Sequence, residues 1–160
     1  MDRIENLSGA AIFGGISDDE IEALCSRGRE LSLAAGEELF DRGQEAREVL
    51  ILRDGVVELH FPVNIMGVTR ELTMETKQPG TVLAWSALVE PYRLTLAASC
   101  ASACLLTGLS RDTLEAFFEQ RPHVGYRFMR NLAVVIGRRL NAMQTIWLRD
   151  LQASAIKRLE

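Results

Sequence analysis

The sequence predicts a mainly β chain, an antiparallel sandwich or barrel with a helix before it and helices after it. Two patterns carry this reading. Glycines at 36, 43, 55, 67 and 80 recur about once every 12 residues and separate short strand-length runs, Glu38-Leu39-Phe40, Val49 to Leu52, Val56 to Phe61 and Thr69 to Met74. On both sides of that stretch the apolar residues return at helical spacing. The 160 residues, 48% hydrophobic and 25% charged, suit one globular domain, a length that buries about 70% of its unfolded surface.

The elements follow in order. Ser17-Asp18-Asp19-Glu20 has capping-box spacing and predicts a helix from Asp18 to about Arg27, with Ile21, Leu24 and Cys25 on one face. Asp54-Gly55 is the strongest hairpin signal, since glycine supplies the positive φ of a tight turn. Val56, Glu58 and His60 alternate with Val57, Leu59 and Phe61, which places His60 on a polar face as a surface or strand-pair histidine. Ser110 to Thr113 opens a helix carrying Leu114, Phe117 and Phe118, and Arg121-Pro122 ends it or marks the start of the next.

From about His123 a stripe of Met129, Leu132, Ile136, Leu140, Met143, Trp147 and Leu151 predicts one helix roughly 50 Å long. The preceding strands cannot cover it all. Exposing its far half to water is costly, at about 1.5 to 3 kcal/mol per large side chain, so the stripe is expected to be the interface of a two-fold homodimer, with packing against the chain's own body as the alternative. The expected divisions are 1–28, 29–109 and 110–160.

Other readings narrow the function. Residues 1–120 hold 10 basic and 20 acidic side chains, residues 121–160 hold 8 and 2, which reads as a solvated helix before it reads as a nucleic-acid footprint. Cys25, Cys100 and Cys104 are an odd set and predict free thiols; with two isolated histidines, no metal site is expected. No signal peptide or membrane span is predicted, and the expected location is the cytoplasm. No Walker loop, nucleophile elbow or H-E-x-x-H occurs, so no enzyme is expected and no cofactor is assigned.

Several stretches together resemble the cyclic-nucleotide-binding domain, particularly the sensor half of bacterial Crp/Fnr-type, catabolite-activator-like regulators. They are Phe13-Gly14-Gly15-Ile16-Ser17 with Glu20, Ala35 to Phe40 followed by Arg42-Gly43, Leu52-Arg53-Asp54-Gly55-Val56-Val57, Pro79-Gly80, and Arg138-Arg139-Leu140. The resemblance implies a jelly-roll, or double-stranded β-helix, barrel with an N-terminal helix and a long C-terminal one. It further implies a small-molecule effector, a cyclic nucleotide or another small anion, bound at a phosphate-binding cassette after Pro79-Gly80.

The family pattern there reads roughly Phe-Gly-Glu-x-Ala-Leu, then Arg-(Thr/Ser)-Ala, in which backbone N–H groups and the arginine hold the phosphate and the glutamate holds the ribose. Ala84 stands where glycine is usual and Trp85 where the glutamate is usual; Ser86, Ala87, Leu88, Arg93 and Thr95 complete the expected effector-binding set. Two registers are open: Leu94 takes the arginine position when Thr95 is matched to the small residue after it, whereas a one-residue deletion puts Arg93 there. Ordinary cyclic AMP recognition is not expected, because Trp85 offers no acceptor to a ribose hydroxyl. In family regulators a helix-turn-helix follows the long helix; it would need about 60 residues more, and none is expected within this chain. A degenerate, ligand-free dimerisation domain is the other reading of the same residues.

Overall fold

The computed structural model describes residue 7 and residues 9–158; the ends of the outer two expected divisions, at 1–6, 8 and 159–160, lie outside the described residues. A short 3-10 turn, Ala11–Phe13, precedes α1, Asp18–Cys25. The capping box closes α1 as its spacing predicts, with the Glu20 carboxylate accepting from the Ser17 N–H at 3.3 Å. The helix stops at Cys25, two residues short of expectation.

Eight strands follow: β1 (Arg29–Leu33), β2 (Glu38–Phe40), β3 (Glu48–Asp54), β4 (Val57–Ile65), β5 (Val68–Lys77), β6 (Val82–Leu83), β7 (Ala97–Cys100) and β8 (Cys104–Ser110). They form two four-stranded antiparallel sheets, ordered β1-β8-β3-β6 and β2-β7-β4-β5. Every pair of successive strands except β4 and β5 therefore switches sheets, and the chain winds into a roll.

That switching corrects one expectation. Asp54-Gly55 does not make a hairpin: β3 pairs with β6 and β8, while β4 pairs with β5 and β7. Gly55, at φ +88°, instead carries the chain from one sheet to the other, and a Cβ there would lie 2.2 Å from the Ala103 carbonyl oxygen. Glycine is required by a close approach as well as by the turn. The tight hairpin is β4–β5, turning at Met66 and Gly67, both at positive φ. His60 sits on β4 between Ser99 Oγ, 2.7 Å from Nε2, and Thr73 Oγ1, 3.2 Å from Nδ1. It is a strand-pair histidine.

Two apolar clusters hold the fold. Leu50, Leu52, Val57, Leu59, Leu83, Ala98, Cys100 and Leu106 fill the space between the sheets. Val49 and Ile51, on the other face of β3, pack with Phe13, Ile21, Leu24, Leu114, Phe117 and Phe128 under the helices. The unbroken Val49-Leu50-Ile51-Leu52 run is thus a strand buried on both faces.

Two helices complete the chain: α2 (Arg111–Gln120), capped by Ser110 Oγ accepting from the Thr113 N–H at 3.1 Å, and α3 (Pro122–Lys157), 36 residues long. The start of α3 is tied to the body by Asn131, whose amide donates to the carbonyls of Ile12 and Gly14 at 2.9 Å each, and by His123 to Glu20. Further along, Arg139 reaches Glu75 on β5 at 3.2 Å. Beyond that point Leu140, Met143, Trp147 and Leu151 stand 47 to 62% exposed. Leu132 is different: it is 2% exposed inside the chain's own core and is not available to a partner, contrary to its place in the predicted interface.

Candidate functional site

The cassette segment lies between β6 and β7 and opens with backbone strain. Ala84 has φ +54°, in the left-handed region that glycine occupies freely and other residues enter at a cost of about 1 to 2 kcal/mol. One 3-10 turn follows, Trp85–Leu88, closed by the Ala87 N–H to the Ala84 carbonyl at 3.0 Å. The segment then runs back beside residues 43–46: the Ala46 N–H donates to Tyr92 O at 2.8 Å, the Leu94 N–H to Gln44 O at 2.9 Å and the Gly43 N–H to Leu94 O at 2.8 Å.

This pairing sets which of the two candidate side chains, Arg93 or Leu94, faces inward. In extended, paired backbone successive side chains point to opposite faces, and Leu94 takes the inner one, 7% exposed. Arg93 is exposed and donates from Nη1 to the Gly43 carbonyl at 3.2 Å. Thr95 is exposed too.

A cavity of about 160 Å³ opens between the sheets at this point. Leu31, Leu39, Phe40, Leu50, Ala84 and Leu94 give it an apolar lining, and Arg29, Gln44, Glu45, Arg47 and Glu48 a polar one. Of the expected effector-binding set only Ala84 reaches it. Ser86 and Ala87 are buried in the turn, and Trp85 and Leu88 pack against the helix-side cluster. The polar lining is internally matched: Arg29 holds Glu48 through two nitrogens, Nε at 2.8 Å and Nη2 at 2.7 Å, and Arg47 holds Glu45 at 3.0 Å. The hydrogen bonds to Glu48 raise the Arg29 pKa further, so the guanidinium stays charged. The cavity has room for about five waters and is roughly half the size of the smaller ligand pockets.

Arg111, the first residue of α2, escaped the sequence reading as a site residue. Its Nε donates to the Ala87 carbonyl at 2.6 Å, its Nη2 to the Ala46 carbonyl at 3.4 Å, and its guanidinium lies 3.6 Å from the centre of the Tyr92 ring. One side chain thus joins the cassette turn, the cavity wall and the helices. A signal was present in the sequence: a cation in the first turn of a helix opposes the helix dipole, which points to employment elsewhere. On the far side of Arg111 a groove of about 750 Å³ runs between the cassette and the helices, lined by Leu88, Tyr92, Phe118, Tyr126 and Met129 among others.

The remaining expectations concern absences and thiols. No helix among the described residues is long and apolar enough to cross a membrane, and no cluster of metal-ligating side chains occurs among them. All three cysteines are free. Burial pushes the Cys25 thiol up to about 11, and burial with a hydrogen bond to Cys104 pushes Cys100 up to about 12, so neither is a thiolate at neutral pH.

Comparison with known proteins agrees with this geometry. The N-terminal domain of a transcriptional regulator from Streptomyces coelicolor A3(2) superposes with a TM-score of 0.74 at 22% identity, over 87% of this chain and 95% of that one. The catabolite activator protein of Thermus thermophilus gives 0.73 at 20% identity, over 85% of this chain and 61% of that one. The c-di-GMP responsive global regulator CLP of Xanthomonas campestris gives 0.66 at 17% identity, over 78% of this chain and 59% of that one. No curated protein matches the chain by sequence. The family model of the cyclic nucleotide-binding domain matches residues 30–121, more than half of the chain, taking in all of the roll but its first residue, the cassette and α2. With the two-sheet roll, the cassette between β6 and β7 and the long terminal helix, that match makes this chain a member of the cyclic nucleotide-binding domain family, in the fold of the Crp/Fnr-type regulators.

Proposed function

We propose that the chain is the sensing module of a Crp/Fnr-type regulator, in which a small effector in the roll biases the cassette and the signal leaves through a homodimer of α3. The observation that carries this reading is the Arg111 junction, which bonds the cassette turn and the cavity wall to the first residue of the helical segment. A molecule that displaces the 44–46 segment or the Ala84 turn has to strain those bonds, and relief comes by moving α2 and α3. The bias on the two states equals the effector's difference in affinity for them.

The effector is not held in the family's usual way. Leu94 puts an isobutyl group where the phosphate-binding arginine is usual, and Trp85 removes the ribose acceptor. A cyclic nucleotide therefore lacks the arginine for its phosphate and the acceptor for its ribose, a loss of roughly 1 to 3 kcal/mol for each buried polar group left unpaired. A small anion sharing Arg29 or Arg47 with their glutamates fits the lining better than a nucleotide.

The cavity's size favours a second reading, a ligand-free dimerisation module. Thermal melts of the chain against cyclic mononucleotides, cyclic dinucleotides and small carboxylates separate the two. A true effector at 100 times its Kd adds about 2.7 kcal/mol, a rise of roughly 5 to 10 °C for a domain of this size. A flat response across the whole panel supports the second reading.

A further inference from the structure

The groove of about 750 Å³ beyond Arg111 is framed by two helix faces that meet at a glycine. On α2, Arg111, Glu115, Phe118 and Glu119 follow one another at steps of four, three and one, so they share a face. Tyr126, Met129 and Arg130 repeat the end of that spacing on α3. A Cβ at Gly125 would stand 2.8 Å from the Phe118 Cβ, so this glycine lets the two helices close the bottom of the groove. Leu88 and Tyr92 of the cassette form the remaining wall.

Its volume falls within the range of about 300 to 1,000 Å³ usual for small-molecule pockets, whereas the cavity in the roll falls below it. The lining suits an aromatic guest. Phe118, Tyr126 and Met129 offer two rings and a thioether, and Tyr126 and Met129 stand 67 and 43% exposed with apolar surface left to cover.

The charges select among such guests. Four charged side chains line the groove, two of each sign. Arg111 is already engaged by the Ala87 and Ala46 carbonyls and the Tyr92 ring. Glu115, Glu119 and Arg130 have no hydrogen-bond or ion-pair partner among the described residues, which leaves two carboxylates against one guanidinium. Glu119 stands in the last turn of α2, at the negative end of the helix dipole, and that turn holds no basic residue. Arg121, just past the helix, lies over the Phe117 ring at 4.6 Å and outside the groove. The charge left unanswered is therefore negative.

We infer that the groove is a second small-molecule site, outside the roll, and that it takes an aromatic amine, with the ring among Phe118, Tyr126 and Met129 and the ammonium bonded to Glu115 and Glu119. Charge-assisted hydrogen bonds hold the amine, and ring contacts hold the body. Because Leu88 and Tyr92 belong to the cassette and the other walls to α2 and α3, the guest touches both parts that Arg111 joins. The site stands independently of whatever occupies the roll.

Calorimetric titration of the full chain at neutral pH with tryptamine, tryptophan and indole-3-propionate tests the assignment, since the three share a ring and differ in charge. Tryptamine is expected to bind with a Kd below about 100 µM, and the other two at least about tenfold more weakly. Butylamine, which lacks the ring, should also bind more weakly than tryptamine. Combining Glu115→Gln with Glu119→Gln should weaken tryptamine at least about tenfold, and Tyr126→Ala severalfold, while Glu22→Gln on α1 leaves it unchanged. Far-UV circular dichroism on the same samples checks the fold. Should the double variant fail to fold, severalfold weakening by either single glutamine variant supports the site. No binding of tryptamine at millimolar concentration overturns the assignment. So does indole-3-propionate binding as tightly as tryptamine, or tryptamine affinity within twofold of wild type in the glutamine variants.

Discussion

Leu94 and Arg93 differ by one position and by everything that matters to an anion. Their assignment turns on which of two adjacent side chains faces inward, and the backbone bonds to residues 43–46 set that alternation. Arg111 is the residue on which the proposed coupling depends. Arg111→Met keeps much of the side-chain volume and removes the bonds to two carbonyls together with the stacking on Tyr92. The expected loss is about 2 to 4 kcal/mol in urea unfolding. Hydrogen exchange at 44–47 and 85–94 is expected to quicken while β3, β4 and β8 keep their protection; uniform quickening of all strands would make Arg111 merely structural.

At the scale of elements the sequence was most legible where one residue type answers one local need. The capping box before α1, the three residues of β2, and the 36-residue α3 all follow from capping chemistry or periodicity. Asp54-Gly55 misled because a glycine turn looks the same whether its strands pair or part into two sheets; the difference lies in β8 and β6, which occupy both edges of β3 and leave none for β4. The contact between α1 and α3 carries a pH dependence. The Glu20 carboxyl is held below its ordinary value of 4.5, chiefly by the bond from His123, with the Ser17 bonds adding. A carboxyl with a lowered folded pKa contributes stability that is complete above its unfolded value and fades as pH falls through the folded one. Urea midpoints of wild type and Glu20→Gln should therefore differ at pH 5.5 and converge as the pH drops below about 4.

The whole molecule is a roll and helix bundle with a rod extending from it. Trp147 is 62% exposed on that rod, whereas Trp85 is partly buried against the helix-side cluster. Dilution through the dimer dissociation range should red-shift tryptophan emission in the wild type and in Trp85→Phe, and leave Trp147→Phe unshifted. The sequence by itself determined the fold class and the length of the terminal helix, because strand and helix periods and turn residues are local properties of the chain; the cassette's place in the fold came from the family resemblance. Tertiary structure alone decided that Leu94 rather than Arg93 lines the cavity, that Leu132 is spent on the chain's own core, and that Arg111 joins three segments. Each of those depends on which distant backbone lies alongside, and no local period encodes that.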